Sequence, residues 1–147
     1  MGGVIPYLYK WLSFRYMIDI PLTVKIGPGF GMPHGGPIVV NQHAVIGNHC
    51  TMHPCTLIGG MRGKGVPRIG NNVFIGNGAK IIGDVTIGDW CFICPNTVVV
   101  KDQEAGVTVT GIPSRVLNDN GKRNCERMQT AYEDNPSLNE RGCQDNL

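Results

Sequence analysis

A six-residue repeat runs through most of this chain of 147 residues. From Ile26 onward an aliphatic residue opens almost every hexad, and nine of the eleven steps between successive openers are six residues long, the other two being 8 and 11. The twelve openers are Ile26, His34, Val40, Ile46, Met52, Ile58, Ile69, Ile75, Ile81, Ile87, Ile93 and Val99. Because a short fixed period is the signature of a solenoid, the repeat restricts the chain to a stack of similar coils.

The residues within each hexad predict an all-β fold, a parallel β-helix. Glycine holds seven of the twelve second positions, and the fifth positions are mostly small or β-branched. We expect each hexad to form a short strand and a tight turn, with glycine supplying conformational freedom at the corner. Three hexads per coil give about four coils, spaced ~4.8 Å apart. The general rule for parallel crossovers favours right-handed coils.

Composition excludes several other classes of protein. Glycine is 21 of 147 residues, but it does not recur every third residue as collagen requires, and a hydrophobic share of 41% argues against disorder. The net charge of +2 predicts no nucleic-acid partner. No signal peptide precedes the six cysteines, so we expect a cytoplasmic protein with reduced thiols.

Two segments flank the predicted domain of residues 26–117. The N-terminal segment, 1–25, is apolar and aromatic, but Lys10 and Arg15 interrupt it well short of a membrane span of ~20 residues. We expect a short helix there that packs on the body, with peripheral contact to a membrane surface as the alternative. The polar tail, 118–147, has no hexads and is predicted to be disordered or to form a short helix around Cys125–Asp134.

The repeat fails at two places, and both are candidate functional positions. His34 is the one opener that is not aliphatic, and it follows a two-residue insertion, although a surface histidine at a loose coil fits the pattern equally well. The second break, residues 59–68, leaves the coil as a loop carrying Arg62, Lys64 and Arg68. Those cations suit an anionic ligand or a neighbouring subunit, and a plain solvated loop is the alternative.

Two further patterns carry weaker hypotheses. The histidines at 34, 43, 49 and 53 suggest a zinc site, but their spacings give no obvious set of converging ligands, so we predict no metal. Cys91 and Cys94 have the spacing of a redox motif, yet Cys91 holds a fifth position where small inward residues recur. Packing is therefore the better interpretation of this pair.

Several segments together resemble the serine acetyltransferase branch of the hexapeptide-repeat acyltransferases. The resemblance covers about 18–117 in order, and it rests on the segments Ile18–Ile20, Lys25–Gly27, His34, Ile38–Val40, Ala44–Gly47, Thr56–Gly60, Gly78–Gly83 and Gly111–Val116. It implies a left-handed β-helix, a homotrimer, and acetyl-CoA bound between two subunits.

The resemblance also implies roles for individual residues. His34 matches the family's catalytic histidine and Asp19 matches the aspartate fifteen residues before it. A histidine can take the proton of an attacking alcohol, and a carboxylate can orient its ring. By position, Gly60, Ala79 and Lys80 would lie along the acetyl-CoA groove. Lys101, Pro113 and Arg115 would meet the nucleotide end.

The acceptor is where the chain departs from the family pattern. The loop is shorter, has no histidine, and reads Gly65–Arg68, and Pro33 stands before His34 where the family has an aspartate. Arg62 or Arg68 would then bind the acceptor. We predict acetyl transfer to a saccharide hydroxyl, as in the short relatives of polysaccharide biosynthesis, with serine O-acetylation as the alternative. A zinc-binding β-helix or a non-catalytic assembly subunit remains the alternative of another class.

Overall fold

Short parallel strands dominate the computed structural model, which describes residues 4–61 and 65–133. A helix stands at each end of this described part of the chain. In chain order the elements are α1 (Val4–Tyr16), β1 (Ile18–Asp19), β2 (Lys25–Ile26), β3 (Ile38–Val40), β4 (Val45–Ile46), β5 (Thr51–Met52), β6 (Thr56–Gly59), β7 (Arg68–Ile69), β8 (Phe74–Ile75), β9 (Lys80–Ile82), β10 (Thr86–Ile87), β11 (Phe92–Ile93), β12 (Val98–Val99), β13 (Thr108–Thr110), β14 (Arg115–Asn118) and α2 (Gly121–Glu133).

The strands form three sheets, which are the faces of a triangular solenoid. Face A contains β1, β3, β6, β9 and β12; face B contains β2, β4, β7 and β10; face C contains β5, β8, β11, β13 and β14. Neighbours are parallel except β13 and β14, which are antiparallel. The predicted parallel β-helix is confirmed. The β-helix has about five turns rather than the predicted four. Strand β1 lies before Ile26, the first predicted opener, and strand β13 lies after Val99, the last one, so both extend the stack of coils.

The core consists of stacked columns of hexad openers. On face A, Ile58 pairs with Ile81, and on face C, Ile75 pairs with Ile93, and all four side chains are fully buried. Burying one such aliphatic side chain contributes about 1.5–3 kcal/mol. The sequence pattern therefore predicted the core columns correctly.

The second-position glycines have a different role from the predicted one. None of the seven has a positive φ angle; that conformation is adopted two residues further on, for example at His49 and Asn72. Five of the seven are required because consecutive coils approach closely, whereas Gly35 and Gly59 have room for a Cβ atom. A Cβ atom on Gly47 would lie 2.5 Å from the carbonyl oxygen of Gly70. The expectation that these glycines supply corner freedom was wrong.

Helix α1 packs on the first coil through one side only. The Tyr9 hydroxyl donates a hydrogen bond of 2.6 Å to the carbonyl oxygen of Ile20. The opposite side is an apolar stripe that points away from the solenoid, made of Val4, Tyr7, Leu8, Trp11 and Phe14. Within the described residues, no helix has the length and apolar character needed to cross a membrane.

Helix α2 packs beside face C at the opposite end of the chain. Its Cys125 is buried, with the thiol 3.5 Å from the carbonyl oxygen of Cys91. The Lys122 ammonium lies 5.4 Å from the centre of the Trp90 ring. The part of the predicted polar tail that the structure describes thus contains a helix, and this helix is anchored on face C. Residues 134–147 lie outside the described part.

Candidate active site

His34 lies in a two-residue enlargement of the first corner between faces C and A. Gly31 pairs with Thr51, twenty residues on, whereas Ile38 pairs with Thr56, eighteen residues on. The two extra residues therefore lie between Met32 and Ile38. Met32, and not His34, precedes the corner at the position equivalent to Met52, so His34 is not a hexad opener. Its side chain is exposed at the corner.

A row of aromatic rings leads from His34 along face C. The His34 and His53 rings are 5.7 Å apart between centroids and meet edge to face at 65°. The His53 ring is 4.9 Å from Phe74, and Phe74 is stacked on Phe92 at 4.5 Å. Each ring comes from the next coil, so the repeat itself aligns them.

His53 is partly buried in this row. Burial is the main reason that its pKa is lowered from the ordinary value of 6.5, and the neighbouring His34 lowers it further. Both effects disfavour the charged imidazolium. The neutral ring of His53 thus lies beside His34 at neutral pH.

Asp19 lies on face A, in the first coil. Its side chain heads an outward column in which the residues pair one coil after another: Asp19, Val39, Leu57, Lys80 and Val98. Asp19 also lines a cleft between α1 and β1 together with Lys10 and Arg15. Among the described residues of this single chain, no hydrogen bond joins Asp19 to His34. The orienting role of Asp19 stays a prediction.

The residues predicted to bind acetyl-CoA are distributed from the middle to the far end of the solenoid. Ala79 is fully buried at the corner between faces C and A, and Lys80 points outward beside it, with its ammonium donating to the Gly78 carbonyl at 2.9 Å. Gly60 follows β6 at the other edge of face A, and a Cβ atom there would lie 2.8 Å from Val66 Cγ1.

The predicted nucleotide-end residues lie in the last coil. Lys101 is exposed after β12, Pro113 follows a cis peptide bond with Ile112, and Arg115 begins β14. Val98 connects this region to face A, because it accepts a hydrogen bond from the Ser114 amide at 2.9 Å. His34 and Arg115 are therefore about four coils apart along the solenoid, on the order of 19 Å.

The structure places Arg68, one of the two predicted acceptor residues, away from His34. Arg68 points outward from face B and forms an exposed ion pair with Asp84 at 3.2 Å. Face B is opposite the corner that carries His34, so Arg68 does not approach His34 of the same chain. Arg62 lies outside the described residues.

Sequence reasoning considered His53 only as one of four possible zinc ligands. The sequence does carry a signal for it, because His53 holds a second position, where glycine stands in seven of the twelve hexads. Within residues 4–61 and 65–133, no three or more His, Cys, Asp or Glu side chains are grouped to hold a metal ion.

The described cysteines are free thiols in contrasting surroundings. Burial raises the pKa of Cys91 to about 11 and that of Cys125 to about 12. Cys55 is exposed at the corner next to His53. Cys94 is not paired with Cys91, in agreement with the packing interpretation of this pair.

We expect iodoacetamide at pH 8 to alkylate Cys55 in the folded protein and to leave Cys91 and Cys125 unmodified. The thiolate is the reactive form, and burial both suppresses it and blocks access. Peptide mass spectrometry resolves each site, and alkylation in guanidinium chloride is the control in which all sites react. Modification of folded Cys91 as fast as Cys55 would contradict the described burial.

Part of the chain matches a known family model, and most of it matches individual proteins. Residues 67–101 match the model described as "Bacterial transferase hexapeptide (six repeats)". A serine acetyltransferase of Synechococcus elongatus is 35% identical over 82% of this chain and 51% of its own length. Because that match covers so much of the chain, it includes position 34.

Solved structures give the same result. The Neisseria gonorrhoeae serine acetyltransferase in complex with serine has a TM-score of 0.72 and 30% identity, covering 78% of this chain and 48% of its own. A serine acetyltransferase in complex with CoA has a TM-score of 0.70 and 31% identity, covering 78% and 47%. The chain thus spans about half the length of the relatives it matches.

Proposed function

We propose that this chain, a hexapeptide-repeat protein of the serine acetyltransferase-like branch, transfers an acetyl group from acetyl-CoA to a hydroxyl group. The observation that carries the proposal is the position of His34. The fold is a regular stack of coils, and this histidine lies at the one described corner that is enlarged between faces C and A.

The proposed reaction needs one base. An acceptor hydroxyl is a weak nucleophile at neutral pH, so His34 takes its proton while the oxygen attacks the thioester carbonyl carbon. A carbon–oxygen bond forms, the carbon–sulfur bond breaks, and the departing CoA sulfur takes the proton back from His34. Backbone amides at the corner can stabilise the negative charge that develops on the carbonyl oxygen.

The relatives support serine as the acceptor better than a saccharide. Every relative named above is a serine acetyltransferase, and one was crystallised with serine. None of the relatives named above supports polysaccharide biosynthesis, so our preference from the sequence is reversed. Asp19, Lys10 and Arg15 line the α1–β1 cleft beside the first coil, and their charges complement the ammonium and carboxylate groups of an amino acid.

We expect the active unit to be a homotrimer. Arg68 of one chain cannot reach His34 of the same chain, but a neighbouring subunit packed along the groove can bring its own face to that corner. The side chains of Val39, Val100 and Ile112 are apolar and exposed, and such a neighbour or the pantetheine arm would cover them. A single-chain site is therefore incomplete.

The deciding experiment measures thiol release from acetyl-CoA with L-serine and with a panel of sugars. Turnover on serine and little on sugars is the expected result. Turnover on sugars alone would restore the saccharide acceptor. No turnover and no thermal shift with acetyl-CoA would favour a non-catalytic assembly subunit, and stoichiometric bound zinc would favour the zinc alternative.

We also propose that the apolar stripe of α1 contacts an anionic membrane surface, in keeping with a peripherally membrane-associated cytoplasmic protein. Trp11 is 62% exposed and Phe14 is 88% exposed. The helix contains Lys10 and Arg15 and no acidic residue. Aromatic rings and cations together favour the interface of anionic lipids over a second copy of the same cationic helix.

A vesicle sedimentation assay tests this contact. The protein should sediment with phosphatidylglycerol vesicles, less with phosphatidylcholine vesicles, and the Trp11→Ser, Phe14→Ser double variant should stay in solution. Val39→Ser, which removes an exposed apolar side chain outside α1, is the matched control. A different result is that the stripe variant still sediments with the vesicles but differs in molecular mass in solution from the unmodified protein. That result would show that the stripe binds a second copy of the chain instead of a membrane.

A further inference from the structure

His53 contacts His34 from the next coil, and the proposed reaction does not by itself require it. We propose that His53 is a positioning residue, whose ring holds the imidazole of His34 in the orientation needed to take the acceptor's proton. The inference rests on the proposed function, since it gives His53 a part in the same reaction.

Little else among the described residues orients His34. It lies in the enlarged corner, outside the strands, and its side chain is exposed. Among the described residues it forms no hydrogen bond, and its one ring contact is the edge-to-face contact with His53 at 5.7 Å. A base must lie within hydrogen-bond reach of the proton it abstracts, so the orientation of this ring matters directly.

His53 itself is held firmly by its backbone hydrogen bonds and by ring packing. Its amide donates to the Ile75 carbonyl at 3.0 Å, and its carbonyl accepts from the Thr56 hydroxyl at 2.6 Å. Its ring packs on Phe74, which is 6% exposed and is stacked on Phe92 with only 4° between the ring planes. The regular coils thus support the one ring that touches the irregular corner.

The partly buried ring of His53 is also suited to lie beside a base that becomes charged during the reaction. When His34 takes the proton it becomes an imidazolium, and a charged neighbour would disfavour that state. Burial lowers the pKa of His53, so this ring stays neutral while His34 carries the proton. A lysine or arginine in this place would oppose the reaction.

The experiment compares His53→Ala, which removes the ring, with His53→Phe, which keeps a ring but removes its nitrogen atoms. We expect His53→Ala to lower kcat by about ten- to a hundred-fold, the range that a small misplacement of a catalytic group can cost. The KM for acetyl-CoA should change less than about two-fold, because His34, not the cofactor, is displaced. His53→Phe should recover most of kcat.

His43→Ala is the matched control. His43 is another histidine of the second coil, and it is exposed. Its ring lies beside Gln42, near the edge of face B and away from the corner that carries His34. Thermal unfolding and molecular mass are measured for every variant. If His53→Ala loses thermal stability, His53→Leu replaces it, since leucine keeps apolar volume without a ring.

The outcomes separate this inference from the proposed function. Normal kcat in His53→Ala, with His34→Ala inactive, overturns the inference and leaves the function standing. A His53→Phe variant as slow as His53→Ala also overturns it, because the ring nitrogens would then act instead of the packing. Unchanged turnover in His34→Ala removes His34 as the base, and this inference with it, while acetyl transfer stands; no turnover in the unmodified protein removes the proposed function.

Discussion

Replacing His34 with alanine is expected to lower the rate of thiol release from acetyl-CoA by about 10²–10⁴-fold, the usual contribution of a positioned general base. The loss should be in kcat, because His34 is not among the residues predicted to bind acetyl-CoA. Thiol release at saturating acetyl-CoA and L-serine, followed with a chromogenic disulfide, measures it directly.

The chain offers a close control for this substitution. His43 is likewise exposed, and His43→Ala should leave turnover unchanged. Because His34 lies at a corner and is not part of the core, the thermal unfolding temperatures of both variants should match that of the unmodified protein. Turnover in His34→Ala within two-fold of the unmodified protein would exclude His34 as the base.

The second large effect concerns stability. Gly47→Ala is expected to lower the free energy of unfolding by about 1–3 kcal/mol, the usual cost of overpacking a close-packed site. The new methyl group would lie 2.5 Å from the Gly70 carbonyl oxygen and 2.7 Å from the Asn71 side-chain oxygen. Since a backbone atom cannot move aside without shifting the coil, removing this steric clash costs free energy. Denaturant unfolding followed by circular dichroism measures the change.

Gly35→Ala is the opposite case and the natural comparison. It is also a second-position glycine in the predicted hexads, but a Cβ atom there meets nothing within 4 Å. Alanine at a compatible backbone position should be neutral or raise the free energy of unfolding by about 0.4–1 kcal/mol, through reduced freedom of the unfolded chain. Equal destabilisation of both variants would show that the coils are not in the described contact at Gly47.

The inward columns were predictable because they are a one-dimensional pattern. Burial of Ile58, Ile81 and Val99 follows from a period of six and needs no knowledge of the neighbouring coil. The packing interpretation of Cys91 had the same basis. Cys91 has a small inward position in the repeat, and in the structure it is fully buried.

Features that depend on contacts between coils were not predictable. The period does not say whether Gly47 supplies a turn conformation or leaves room for Gly70, and both explanations require glycine. Likewise the register around His34 was ambiguous, because a two-residue insertion can be placed on either side of it. Only the pairing of Gly31 with Thr51 fixes that choice.

The ring contact between His34 and His53 illustrates the same limit. The two residues are nineteen positions apart, and they meet because the enlarged corner makes the first coil, from Ile18 to Ile38, two residues longer than the next one, from Ile38 to Thr56. Sequence reasoning grouped them only as potential metal ligands. Their contact is a property of three-dimensional stacking.

The antiparallel strand β14 has a consequence for how the protein behaves at high concentration. A solenoid built from parallel strands ends in unpaired amide and carbonyl groups, which are a template for adding another coil from a second molecule. On face C that growth stops, because β14 turns back beside β13, pairing Thr110 with Arg115, and occupies the free edge. The hairpin acts as an end cap and protects this face from forming open-ended fibres.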